Sequence, residues 1–180
     1  EGARYLGERV AREIVRHHAA AQPLDASEYR HLAKTVWLPR WNPTFAEYRA
    51  AQEKRAAWRA AEGEDFERNP FAGHDVPLFD YSEAEVIARR FEDDREYVPA
   101  PVHVVRLGSA VFATNPFECF IEYADRLRAG CPDTLLFDVQ LACDTLGYLP
   151  TRRAVRGGGY SAMIFNGQCG PEGGDALVRE

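Results

Sequence analysis

The feature that most constrains this chain is the order of apolar segments between residues 102 and 141. Val102, Val104 and Val105 lead through Leu107-Gly108-Ser109 into Ala110-Val111-Phe112-Ala113. Two apolar runs joined by Gly-Ser predict a β-hairpin, because such a pair tolerates the backbone angles of a tight turn. Phe117, Phe120, Ile121, Ala124 and Leu127 then recur at the three- and four-residue spacing that lines one helix face. Asn115 and Pro116 just before them predict the helix entry. Asn accepts from the free amides of a first turn, and Pro has no amide to leave free. Gly130 ends that helix, and residues 135–141 (Leu-Leu-Phe-Asp-Val-Gln-Leu) predict a strand buried on at least one face. Strand, helix, strand is an α/β arrangement, expected as a mixed sheet with flanking helices. In such folds ligand sites gather at the strand ends.

Upstream, Ala3, Leu6, Val10, Ile14 and Ala21 fall on one side of a helix over about residues 2–21, ended by Gln22-Pro23. Residues 32–38 predict a short strand closed by Pro39. Thr44 with Glu47 is a capping box opening a helix that runs to about Glu62, with a thin apolar stripe of Phe45, Tyr48 and Trp58. Residues 63–80, with Gly63, Pro70, Gly73 and Pro77, read as a long loop. Ser82 with Glu85 predicts another capped helix to about Glu92. Charged helices and loops over about residues 40–100 read as an insertion or lid, and residues 101–180 as the core that bears the motifs.

A net charge of −6 excludes a broad basic surface, so no nucleic-acid partner is expected. No apolar run is long enough to span a bilayer. The 46% hydrophobic content is that of a globular chain, sufficient for a buried core. The first helical pattern begins at once and another is under way at Arg179-Glu180, so both ends read as cut. The compartment is left open. Cys119, Cys131, Cys143 and Cys169 form no Cys-x-x-Cys pair, and free, mostly buried thiols are expected. His17 and His18 are adjacent on a helix and face apart. They and His31, His74 and His103 read as structural or surface residues.

Four segments carry a resemblance: Thr114-Asn115-Pro116-Phe117-Glu118, Leu146-Gly147-Tyr148-Leu149-Pro150-Thr151, Gly157-Gly158-Gly159-Tyr160 and Gly170-Pro171-Glu172-Gly173-Gly174. In this order and spacing they resemble the C-terminal part of the catalytic domain of the neutral/alkaline ceramidases, in a bacterial ceramidase-like branch. The match covers about residues 107–178 and is weaker over residues 1–106. The resemblance implies a zinc-dependent amidohydrolase acting on N-acyl sphingoid or related lipids. In that family zinc is held by two His, one Glu and one Tyr. The Glu falls on Glu118 and the Tyr on Tyr148, which would also act in catalysis by stabilising an oxyanion. The two His and the nucleophilic Ser belong upstream of Glu1, in the N-terminal half of the same polypeptide. This chain alone is therefore expected to be inactive.

Plainer readings stand beside these. Glu118 lies three residues after Asn115 and suits a helix cap. Tyr148 suits a half-buried aromatic with a wet hydroxyl. The triple glycine reads as a turn shaping one wall of a site, and Gly170–Gly174 as the entry to a helix starting at Asp175. The chain also departs from the family: Ala142-Cys143-Asp144 replaces Ala-Asn-Gly, and Phe117 stands where the larger ceramidases have Gly. A bulky Phe there narrows a lipid groove. A zinc hydrolase of a different amide or ester, or a non-catalytic binding or assembly domain on the same scaffold, are the alternative functions.

Overall fold

A computed structural model describes residues 2–24, 27–63 and 77–180. The part of the long loop expected at 64–76, with His74, lies outside the described residues.

Helix α1 (Gly2–His18) ends near the expected boundary and buries none of its residues. Strand β1 (Tyr29–Pro39) is longer than its apolar run, and Pro39 closes it. Helix α2 (Phe45–Glu62) opens on the expected capping box, in which Thr44 accepts from the Glu47 amide while the Glu47 carboxylate accepts from the Thr44 amide. Helix α3 (Leu78–Glu92) starts four residues before Ser82, after Pro77, with no side-chain cap. Ser82 therefore caps nothing. Glu85 sits inside the helix and pairs with Arg55 of α2 at 2.7 Å.

The hairpin forms as its sequence predicts, from β2 (Tyr97–Leu107) and β3 (Ala110–Thr114) around Gly108-Ser109. Strand β2 begins earlier than its valines and runs through Pro99 and Pro101, which pair with Trp37 and Thr35 of β1. Proline has no ladder donor and is confined to unpaired strand edges. Here β3 covers only Val104–Leu107, so the far edge of β2 is free at both prolines.

Strand β4 (Glu118–Cys119), helix α4 (Ile121–Gly130) and β5 (Leu135–Val139) follow. Next come β6 (Tyr148–Leu149), helix α5 (Arg152–Gly157), two short 3-10 turns and helix α6 (Pro171–Arg179). The main sheet has the order β1-β2-β3-β5. Its first three strands are antiparallel and β3 and β5 are parallel, joined through α4. The fold is mixed α/β, with a mixed sheet and flanking helices.

Two expected boundaries move. Helix α4 starts at Ile121, because Asn115 is used otherwise: its carbonyl oxygen accepts from the Phe117 amide and its amide donates to Asp138. Phe117 is then driven fully into the core. Helix α6 starts at Pro171 rather than Asp175, so Gly173 and Gly174 are helical and buried. A Cβ on Gly174 would overlap the ring of Tyr123, whose hydroxyl donates to Pro150 O at 2.9 Å. Glycine costs helix propensity, and here it brings α6 against α4.

Pairing registers place even-numbered β1 and β2 residues on one sheet face. Val36, Leu38, Val98 and Ala100 there pack with Phe117, Tyr123, Leu149 and Cys169. Burying each large side chain contributes about 1.5–3 kcal/mol. On the opposite face Tyr29, Trp37, Tyr97, Leu135 and Phe137 are exposed, Trp37 by 66%. Strand β5 was expected to be buried on at least one face. It is an edge strand that alternates between exposed and half-buried positions. Helices α2 and α3 pack on each other through Ala51, Ala84 and Ile87, with Ile164 joining them.

Gly174→Ala is expected to destabilise the fold by about 1–3 kcal/mol through overpacking against Tyr123. The denaturant midpoint measures this, and an unchanged midpoint would show that the ring yields freely.

Candidate functional site

Glu118 and Tyr148 meet across the two-stranded parallel ladder of β4 and β6, in direct register. Residues opposed in this way project side by side from neighbouring strands about 4.8 Å apart. The ladder is knitted by backbone bonds from the Glu118 amide to Gly147 O (3.0 Å), Leu146 to Pro116 O (2.8 Å) and Phe120 to Leu149 O (3.3 Å). Gly147 is required at the entry to β6. Its φ is +76°, and a Cβ there would overlap the carbonyl of Asn166. Phe117 and Leu149, both fully buried, lock the two strands to the core from inside.

Both residues are half-buried, within reach of solvent. The Tyr148 phenol is raised above its ordinary value, first by a side-chain hydrogen bond to Glu118, then by the charge of that carboxylate. A hydrogen bond from Ser161 acts in the opposite sense. Around Tyr148 stands an aromatic wall. Tyr160 meets the Tyr148 ring edge-on at 6.0 Å, Phe79 lies 5.7 Å from Tyr160, and Phe165 lies 6.3 Å from it.

The cap reading of Glu118 is removed, because the residue is in a strand and no helix begins at Asn115. Gln140 braces the neighbouring residue, bonding the Cys119 amide (3.0 Å) and carbonyl (3.1 Å). Sequence reasoning gave no part to Ser161, Gln140, Phe79 or Phe165. Tyr160 was visible within the Gly-Gly-Gly-Tyr motif, and it is the residue that the glycine turn delivers to Tyr148. Gly158 (φ +71°) and Gly159 (φ +109°) make that turn with no crowding around either.

The carboxylate and the phenol are hard oxygen donors suited to zinc, and their adjacency fits two positions of a tetrahedral set. Among the described residues no group of three or more His, Cys, Asp and Glu side chains is placed to hold a metal ion. His31 and His103, which the sequence leaves scattered, meet on the exposed sheet face with Nε2 and Nδ1 2.8 Å apart. They stand on β1 and β2, apart from the β4–β6 ladder. No described helix is long and apolar enough to cross a membrane.

The four cysteines are free, but only half of the burial expectation holds: Cys131 and Cys143 are exposed and Cys169 is buried. Burial, then the charge of Asp138, pushes the Cys119 thiol up to about 12, and burial pushes Cys169 up to about 12. No protein-family model matches this chain, and no curated protein and no solved structure shows significant similarity to it.

At about pH 8, just below the ordinary thiol pKa of ~8.5, Ellman's reagent should label Cys131 and Cys143 in the folded protein. Cys119 and Cys169 should react only after unfolding. The unfolded state loses thiol protons that the native state keeps, so stability should fall as pH rises above ~8.5. Rapid native labelling at all four positions would contradict this.

Proposed function

We propose that this chain forms the C-terminal part of the catalytic domain of a zinc-dependent amidohydrolase of the neutral ceramidase type. The observation that supports the reading is the register of Glu118 directly opposite Tyr148 on neighbouring strands. Two motifs thirty residues apart in sequence converge on one carboxylate and one phenol, the pair that the resemblance assigns as ligands. Substrate would be an N-acyl sphingoid or a related lipid amide.

Glu118 and Tyr148 would hold the ion together with two imidazoles from polypeptide upstream of Glu1. When bound, zinc supplies Lewis-acid polarisation of the scissile carbonyl and a more acidic water. The chain's own residues do the rest. The Glu118 carboxylate is fixed by the ladder, opposite Tyr148. The Tyr148 hydroxyl would donate to a developing oxyanion. The ring of Tyr160, with Phe79 and Phe165 beside it, would offer an apolar wall to an acyl chain. The exposed sheet face supports an incomplete domain: we place the upstream half against Tyr29, Trp37, Tyr97 and Phe137. An apolar surface of this kind, left bare, would favour association.

A second reading has an observation of its own. With no three-ligand group among the described residues, the scaffold would serve equally as a binding or assembly domain. Two histidines in the coding sequence upstream favour the hydrolase, and their absence favours the alternative.

In the polypeptide that includes the upstream half, Glu118→Ala and Tyr148→Phe should each lower hydrolysis of a short-chain fluorescent ceramide by at least about 100-fold, the scale of losing one oxyanion donor. Glu118→Ala should also lose the metal. Full turnover with one zinc retained in both variants would refute the assignment. Hydrolysis of other amides or esters but not ceramide would keep the metal site and change the substrate.

A further inference from the structure

A second cluster of charge lies where β1 leaves the sheet and α3 ends, away from the β4–β6 ladder. A cleft of about 460 Å³ there is lined by Arg40, Arg89, Arg90 and Arg95, against only two carboxylates, Asp93 and Asp144. Its volume is in the range of small-molecule sites, roughly 300–1,000 Å³.

The positive charge in this cleft is not matched. Arg90 is 6% exposed, and its Nη1 donates only to carbonyls, of Ile164 at 2.8 Å and Trp41 at 3.4 Å. Among the described residues no carboxylate forms an ion pair with it. The Arg40 side chain is 5% exposed and lies 3.0 Å from Asp93 through Nη1. That contact lacks hydrogen-bond alignment, and Arg40 Nε and Nη1 are both shut off without a hydrogen-bond partner. Asp93 is already engaged by Arg95 through both carboxylate oxygens. Arg89 turns to Glu85 at 3.5 Å. Asp93 therefore answers two guanidiniums, those of Arg40 and Arg95, and leaves the buried Arg90 beside Arg40 without a carboxylate. Burial first, and the charge of Arg40 second, lowers Arg90 to about 10, which still leaves it charged at neutral pH.

Buried charges are ordinarily paired, since an uncompensated one costs several kcal/mol. A hydrophobic core gains nothing from two adjacent guanidiniums, and a planar fork with several donors matches a tetrahedral oxyanion. We propose that this cleft binds a small soluble molecule through its phosphate group, with Arg95 closing on the oxyanion from the mouth, the buried charges of Arg40 and Arg90 drawing it in, and Asp93 tuning the affinity. This site is independent of the hydrolase reading. Leu146 and Phe165, near the Tyr148 region, are among its lining residues. The carboxylate of Asp93 competes with the ligand for Arg40 and Arg95, and this competition distinguishes the site from a mere patch of positive charge.

The test is a calorimetric titration of the full chain with inorganic phosphate, against sodium chloride at matched ionic strength. Saturable binding of one phosphate per chain, with a Kd of about 1 mM or tighter, is expected. Arg40→Gln should weaken it at least about tenfold, and Asp93→Asn should tighten it about tenfold, the scale of one charge-assisted hydrogen bond. Where Arg40→Gln does not fold, Arg95→Gln on a side chain 66% exposed replaces it, with weakening expected again. No saturable heat up to about 10 mM phosphate would overturn the proposal. So would equal heats with chloride, or affinity unmoved by both the Arg and the Asp93 substitutions.

Discussion

The candidate site depends on a parallel ladder only two residues long on each strand. Such a ladder has too few hydrogen bonds to stand alone. It persists because Phe117 and Leu149 flank Glu118 and Tyr148 in sequence and are wholly buried, so the polar pair is held outward by an apolar pair held inward. The Leu146 and Glu118 amides close the ladder from either side, and Gly147 lets the chain turn tightly enough to start β6. The closeness of carboxylate and phenol is therefore a consequence of packing. It does not depend on an ion being there to draw them together.

Much of the fold can be read in local sequence where one interaction decides the outcome. Thr44 and Glu47 form a reciprocal cap that needs nothing from the rest of the molecule, and Gly108-Ser109 closes a hairpin between two valine-rich runs. Asn115-Pro116 shows where this fails. The pair has the chemistry of a helix entry, but Asp138, twenty-three residues on, takes the Asn115 amide, and the core takes Phe117. Tertiary demand overrides a local signal there, and the same override turns Glu118 from a cap into a ladder residue. Pro171 is the reverse case. Its segment reads in sequence as the entry to a helix starting at Asp175, yet the helix starts at Pro171 and takes two glycines into its first turn. Their purpose, the close approach to Tyr123, is visible only when α4 and α6 are both in place.

The proposed metal ligands were legible only through the resemblance, because a lone Glu and a lone Tyr carry no spacing code of the kind that His and Cys pairs do. Ser161, Gln140 and the aromatic wall had no signal strong enough to select them. The basic cleft was equally hidden, since Arg40 and Arg90 are fifty residues apart and an Arg-rich chain offers many candidates. Burial is what sets those two apart. The exposed sheet face and the unpacked α1 are the other large-scale features that composition could not reveal. Both present exposed apolar side chains, Trp37 and Tyr97 on the sheet and Val10 and Ile14 on α1, and the proposed upstream half would cover them.

The central claim is that Glu118 and Tyr148 share one zinc ion. It is tested most directly by X-ray absorption at the zinc edge on the polypeptide that carries the upstream histidines. The account requires a first shell of nitrogen and oxygen donors at about 2.0–2.2 Å, from which Tyr148→Phe removes one oxygen while the imidazole signal persists. A shell containing sulfur, or one that Tyr148→Phe leaves unaltered, would contradict it.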